Sequence, residues 1–249
     1  METNKIFKFE EELREGLVLS RPNRFIMMVK IGNEIVKAHC PSTGRIGNIV
    51  FKNIPCLFST SDDKKRKTNY TVEAISLDPE SKKNKKWIGI NQVRANRVVE
   101  YFIKTGQLNE ILNISDKNPL VRREVKLGNS KIDFLINQIY LEVKTPLNIM
   151  SLSPAPSSGK QAKFNSFERI IKHFGDLSKY ITKSGRAVVA MCYFYDAPPF
   201  IPPVTDKYNL KIKKAATKAH HSGLETWQIN FKIDKQGVNL VKFFKLNLF

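Results

Sequence analysis

The stretch Lys131-Ile132-Asp133-Phe134-Leu135-Ile136-Asn137-Gln138-Ile139-Tyr140-Leu141-Glu142-Val143-Lys144 constrains the fold more than any other part of this 249-residue chain. Two apolar runs flank Asn137-Gln138, a dipeptide that suits a tight turn, so the segment predicts an antiparallel hairpin. Ile136 then faces Ile139, and counting outward places Asp133 directly opposite Glu142, with Cβ atoms roughly 5 Å apart. Strand alternation puts Asp133, Glu142 and Lys144 on one face. Ile132, Phe134, Ile136, Ile139, Leu141 and Val143 are left for the core. Carboxylates facing each other repel, and something positive must offset that. Lys144, diagonal to Asp133, is one candidate. A divalent cation is the better one, because Mg²⁺ (or Mn²⁺) suits a few carboxylates completed by water and phosphate oxygens. Such a cation could polarise a phosphoryl oxygen and supply hydroxide, while Lys144 positions the nucleophile or neutralises developing charge. Glu124, on the preceding strand, could add a carboxylate. The bland alternative is a hairpin with a solvated polar face, its acids balanced by Lys131 and Lys144.

Charge says what the partner would be. With 42 Lys+Arg against 23 Asp+Glu, the net charge of +19 favours polyanions, nucleic acid first. Arg24, Arg45 and the run Lys64, Lys65, Arg66 and Lys67 are candidate phosphate contacts, as are Arg169 and Lys172 on a later helix. Phe51, Phe58 and Tyr70 are candidate base-stacking platforms, although small barrels usually bury their large residues. No basic run lies on a strongly amphipathic segment, and no stretch approaches the ~20 apolar residues of a membrane span, so no membrane partner is expected. Three cysteines without metal-like spacing argue against a disulfide framework and a zinc site. The first residues lack a signal-peptide pattern. Together these predict a soluble, intracellular protein, cytoplasmic in location. No Ser/His/Asp or Cys/His arrangement and no phosphate-cradling glycine loop occurs.

Patterning divides the chain at about residue 90. Before it lie short strand-like segments: residues 25–31 and 34–39 around Gly32-Asn33, then 48–51, 56–59, 70–77 and 87–90. Together they suggest a small β-barrel of the oligonucleotide-binding type for residues 1–90. After it the pattern is mixed α/β, residues 91–249. A helix capped by Asn96 carries Val98, Val99, Phe102 and Ile103 on one face. Strands follow at 120–127, 131–136 and 139–144, and then a Ser/Pro/Gly-rich loop at 151–159. A helix over 165–183, a buried strand at 186–195, a lysine-studded helix at 206–221 and a terminal hairpin complete it.

Several stretches, in this order, resemble the sugar fermentation stimulation protein A family. They are His39-Cys40-Pro41-Ser42-Thr43-Gly44-Arg45, Trp87-Ile88-Gly89-Ile90-Asn91, Asn96-Arg97, Arg123-Glu124-Val125-Lys126, Lys131-Ile132-Asp133-Phe134-Leu135 and Tyr140-Leu141-Glu142-Val143-Lys144. The resemblance implies DNA binding, an N-terminal oligonucleotide-binding-like barrel and a C-terminal domain similar to PD-(D/E)XK nucleases. It also implies that Asp133, Glu142 and Lys144 form the nuclease-type site. Ser42 stands where the family commonly has Asn, and Ile170 where it has Gly. Two functions follow as expectations: a Mg²⁺-dependent nuclease, and a non-catalytic, largely sequence-nonspecific DNA-binding protein that retains the scaffold. An acidic-protein binder is the third.

Overall fold

Alternation in the first third builds a closed barrel. The computed structural model describes residues 5–42, 44, 46–47, 49–116, 118–147, 167–183, 185–201 and 207–247, with 167–169 and 207–209 described by backbone alone. After a short first strand, β1 (Phe7–Lys8), come β2 (Arg14–Asn23), β3 (Ile26–Ile31), β4 (Glu34–His39), β5 (Ile54–Thr60), β6 (Tyr70–Ile75) and β7 (Ile88–Gly89). Strands β2 to β6 run in the order β4-β3-β2-β5-β6, and a parallel β4–β6 pairing at Ala38↔Tyr70 and His39↔Thr71 closes them. This is the five-stranded oligonucleotide-binding barrel. Met27 and Val29 point inward and are fully buried, while Lys30 is exposed. Gly32 takes φ +58° at the β3–β4 turn, a conformation open to glycine at no steric cost. Residues 49–51, expected as a strand, lie in the irregular connection between β4 and β5.

The second sheet has seven strands in the order β1-β13-β12-β11-β10-β9-β8. Its elements are α1 (Gln92–Lys104), α2 (Asn109–Leu112), β8 (Val121–Leu127), β9 (Ser130–Ile136), β10 (Ile139–Lys144), α3 (Phe167–Ile181), β11 (Arg186–Tyr193), α4 (Lys207–His221), β12 (Glu225–Ile233) and β13 (Gly237–Lys245). The central strands β10, β11 and β12 are parallel and covered on both faces, which is why Ala187-Val188-Val189-Ala190 shows no alternation. On one face Val98, Val99, Phe102 and Ile103 of α1 pack on Phe134, Ile136, Leu141 and Val143. On the other, Leu177 of α3 and Ala219 of α4 pack against Leu135, Tyr140 and Val189. The expected loop at 151–159 lies outside the described residues.

The division at residue 90 is crossed twice. Phe7 and Lys8 pair with Val238 and Gly237, so the first strand belongs to the second sheet. Leu57 and Ala74 of the barrel share a core with α1. At the junction Gly89 is required by close approach: a Cβ there would lie 2.4 Å from Phe194 Cβ. Beside it, Glu73 is 1 % exposed and accepts from Ser59 Oγ (2.7 Å), Asn91 Nδ2 (2.7 Å) and the Arg94 Nε and terminal nitrogen (3.1 and 2.7 Å). Asn91 rather than Asn96 caps α1, its Oδ1 accepting from the Arg94 N–H at 3.1 Å.

Candidate active site

The hairpin forms in the expected register, with Ile136↔Ile139, Leu135↔Tyr140 and Phe134↔Leu141 paired and Asn137 at φ +51° in the turn. Beyond Phe134↔Leu141 the main-chain ladder opens, and carboxylates take its place. The Val143 N–H donates to Asp133 Oδ2 at 2.8 Å, and the Asp133 N–H points to Glu142 Oε2 at 3.4 Å. On the other side of β9 the ladder skips Glu124 opposite Asp133, and Glu124 sits at φ +54°. Alternation also breaks here: Ile132, expected beside Phe134, instead joins the cluster under α3.

Asp133, Glu142 and Lys144 line one cleft of about 460 Å³ with Gln92, Asn96, Lys172 and His173. Glu142 is 2 % exposed, and its Oε1 contacts both Lys144 Nζ and, at 2.7 Å, His173 Nδ1. A carboxylate partner makes Nδ1 the protonated ring nitrogen. Burial pushes Glu142 up, but the His173 hydrogen bond and the Lys144 charge outweigh it and hold the carboxyl below its ordinary value. Asp133 is half-buried, and its Oδ1 accepts from Asn96 Nδ2 at 2.9 Å. Burial, followed by the charge of Glu142, raises its pKa, although the Val143 and Asn96 hydrogen bonds work against that.

Two carboxylates open to one cleft, with Glu142 Oε2 making only a long contact, suit a hard cation that keeps several waters. Among the described residues no group of three or more His, Cys, Asp or Glu is arranged to hold a metal, so water or substrate oxygens must complete the shell. The raised pKa of Asp133 fixes a sign. The stability this carboxyl contributes without metal is greatest at acid pH and declines as pH rises through its elevated value. Asp133→Asn keeps both hydrogen bonds if the Asn96 amide turns over. It should therefore raise the metal-free unfolding free energy at neutral pH by about 1 kcal/mol, measured by urea denaturation, while removing stabilisation by added Mg²⁺.

The other predicted residues are dispersed. Glu124 is exposed and paired with Lys131 Nζ at 2.6 Å, an ion pair on the cleft's rim. Lys172 is exposed and lines the cleft. Arg24 lies at the β2–β3 turn, and Lys64, Lys65, Arg66 and Lys67 on the β5–β6 loop, where Arg66 donates to Thr71 Oγ1 at 2.5 Å. Arg45 and the Arg169 side chain lie outside the described residues. Phe58 is buried, and Phe51 and Tyr70 are half-buried, with Tyr70 edge-on to Phe58, so none of the three is an open stacking platform. Sequence reasoning missed Asn96, which was assigned to a cap, and His173, which has no ligand-like spacing.

A closed five-stranded barrel followed by an α/β domain with a curled sheet, the two sharing one junction, defines the class. Its first part matches the family model described as the SfsA N-terminal OB domain over residues 19–90. The second matches the sugar fermentation stimulation protein RE domain over residues 93–237. The chain belongs to the sugar fermentation stimulation protein family. A homologue from Picosynechococcus sp. is 32 % identical over 233 residues, covering 90 % of this chain and 86 % of its own. One from Clostridium tetani is 27 % identical over 247 residues, covering 96 % and 99 %. The solved structure of Pyrococcus furiosus SfsA in complex with Ca²⁺ superimposes with a TM-score of 0.71 at 19 % identity, covering 99 % of each chain.

Proposed function

We propose that this chain binds nucleic acid, DNA foremost, and hydrolyses phosphodiester bonds at the Asp133–Glu142 cleft with Mg²⁺ or Mn²⁺. The observation that carries the proposal is the replacement of main-chain pairing by two carboxylates at the mouth of a basic cleft. The Ca²⁺ complex of the Pyrococcus protein supports the choice of a hard, oxygen-seeking cation. When bound, the cation would supply Lewis acidity and a water of lowered pKa. Asp133 and Glu142 would hold it. Asn96 keeps Asp133 turned into the cleft, and His173 does the same for Glu142. The ammonium of Lys144 offsets negative charge as it grows on the phosphate. Lys172 and Lys131, both on the rim, attract the flanking phosphates.

A non-catalytic DNA-binding role is the second reading. It is favoured by the contact of Lys144 and His173 with the same Glu142 oxygen, which already neutralises that acid. Calorimetric titration with Mn²⁺ and cleavage of duplex, single-stranded and branched DNA separate the two. Binding of Mn²⁺ that is lost in Asp133→Ala, together with turnover, supports hydrolysis. DNA affinity without turnover on any substrate supports the second. No described helix is long and apolar enough to cross a membrane, and we assign the protein to the cytoplasm.

A further inference from the structure

At the β2–β3 turn the barrel presents an aromatic ring that it has no structural reason to expose. Phe25 is 44 % exposed. Its backbone is nevertheless tightly held. Asn23 Oδ1 accepts from the N–H groups of Phe25 (2.9 Å) and Ile26 (3.1 Å), and the Cys40 N–H donates to the Phe25 carbonyl at 2.7 Å. Arg21 fastens the neighbouring backbone, donating to the carbonyls of Arg24 (3.1 Å), Ser42 (2.6 Å) and Gly44 (3.1 Å). The Arg24 guanidinium lies over one side of the ring, 4.7 Å from its centroid, and has no acidic partner among the described residues. An exposed phenyl group on a rigid turn, backed by an unpaired cation, is what base stacking requires.

The surface running away from this turn has the same character. Where β3 and β4 pair, Met28↔Lys37 and Lys30↔Ile35 alternate apolar and basic side chains on the outside of the barrel, with Ile35 59 % exposed. Neither lysine has an ion pair among the described residues. Their side is the face of the second and third barrel strands. It is flanked by the turn carrying Arg24 and, through the His39↔Thr71 register, by the loop carrying Lys64, Lys65 and Lys67. In barrels of this type such a face tracks an oligonucleotide. A duplex hides its bases and could use only the cations, so an exposed Phe25 beside Ile35 is explained only if bases are unpaired.

We infer that the β3–β4 face of the barrel is a single-strand platform on which an unpaired base stacks on Phe25 while Arg24 meets the adjoining phosphate, so that the substrate is nucleic acid with a single-stranded segment. This rests on the nucleic-acid reading above and adds the substrate class.

The test is fluorescence anisotropy on the full chain, with EDTA present so that the metal site plays no part. The probes are a labelled single-stranded DNA of about 15 nucleotides and the corresponding duplex. The single strand is expected to bind more tightly. Phe25→Ala should weaken it about tenfold or more and leave duplex affinity unchanged, while Phe25→Trp restores it. Arg24→Ala should weaken both forms and flatten their salt dependence. The inference is overturned if Phe25→Ala retains single-strand affinity, if it weakens duplex binding equally, or if its only effect is loss of a dimer in sedimentation. If the wild type binds neither form at moderate salt, the nucleic-acid reading itself falls. If it binds and cleaves duplex with no preference for single strands, only the present inference does.

Discussion

Lys144→Ala is expected to lower Mg²⁺-dependent cleavage of DNA by about 10²–10³-fold while leaving the protein folded and able to bind Mn²⁺. The folding argument comes from Glu142. That acid is almost wholly buried, and loss of one partner could leave an uncompensated charge, but His173 Nδ1 still donates to its Oε1. The carboxyl's pKa should rise, because the Lys144 charge is one of the interactions holding it down against burial. Metal binding in Lys144→Ala should then persist at neutral pH and weaken sooner on acidification than in the wild type. The chemical argument is that phosphodiester hydrolysis gathers negative charge in the cleft, where Lys144 is only partly exposed and its ammonium is poorly screened. Measuring turnover with calorimetry on the same variant separates a lost catalytic cation from a lost metal site. Unchanged turnover would remove Lys144 from the mechanism, and loss of Mn²⁺ binding would show that its part is structural.

What could be read from the amino-acid sequence was whatever depends on neighbours in the chain. The register of the hairpin follows from a turn dipeptide and two-residue alternation, and Asp133 and Glu142 fall at its mouth because nothing between them interrupts the count. Strand β11 was legible as a run without alternation. The residues that finish the site were not. Asn96 lies 37 positions from Asp133, and His173 lies 31 from Glu142, so no spacing rule connects them. Asn91 and Asn96 are equally good caps by type, and only the packing of α1 on the sheet decides that the second faces a carboxylate. Ile132 was assigned to the wrong cluster because alternation assumes a regular strand, whereas Glu124 takes a left-handed conformation next to Asp133. Strand β1 pairs two residues with a strand near the other end of the chain, a contact too short and too distant to leave a pattern.

Arg94→Met is expected to destabilise the whole chain by about 3 kcal/mol, lowering the thermal midpoint by about 10 °C in calorimetry. Glu73 lies in barrel strand β6 and is 1 % exposed, while Arg94 starts α1 of the second domain and grips it with two nitrogens. Met fills the volume along Phe9, over whose ring the Arg94 guanidinium lies at 5.1 Å, so the loss isolates the charge rather than the packing. Ser59 and Asn91 still donate to the stranded carboxylate, which keeps the effect below a full unpaired burial. Adding Glu73→Gln to Arg94→Met should recover part of the loss, since a neutral amide needs no counter-charge and its oxygen can still accept from one of the two donors. Because the same carboxylate ties β6 to Asn91, the cap of α1, the variant should melt in one transition, with the two domains unfolding together. Two separated transitions would show that the barrel and the α/β domain hold without this pair, and the shared core at Leu57 and Ala74 would then be too weak to couple them.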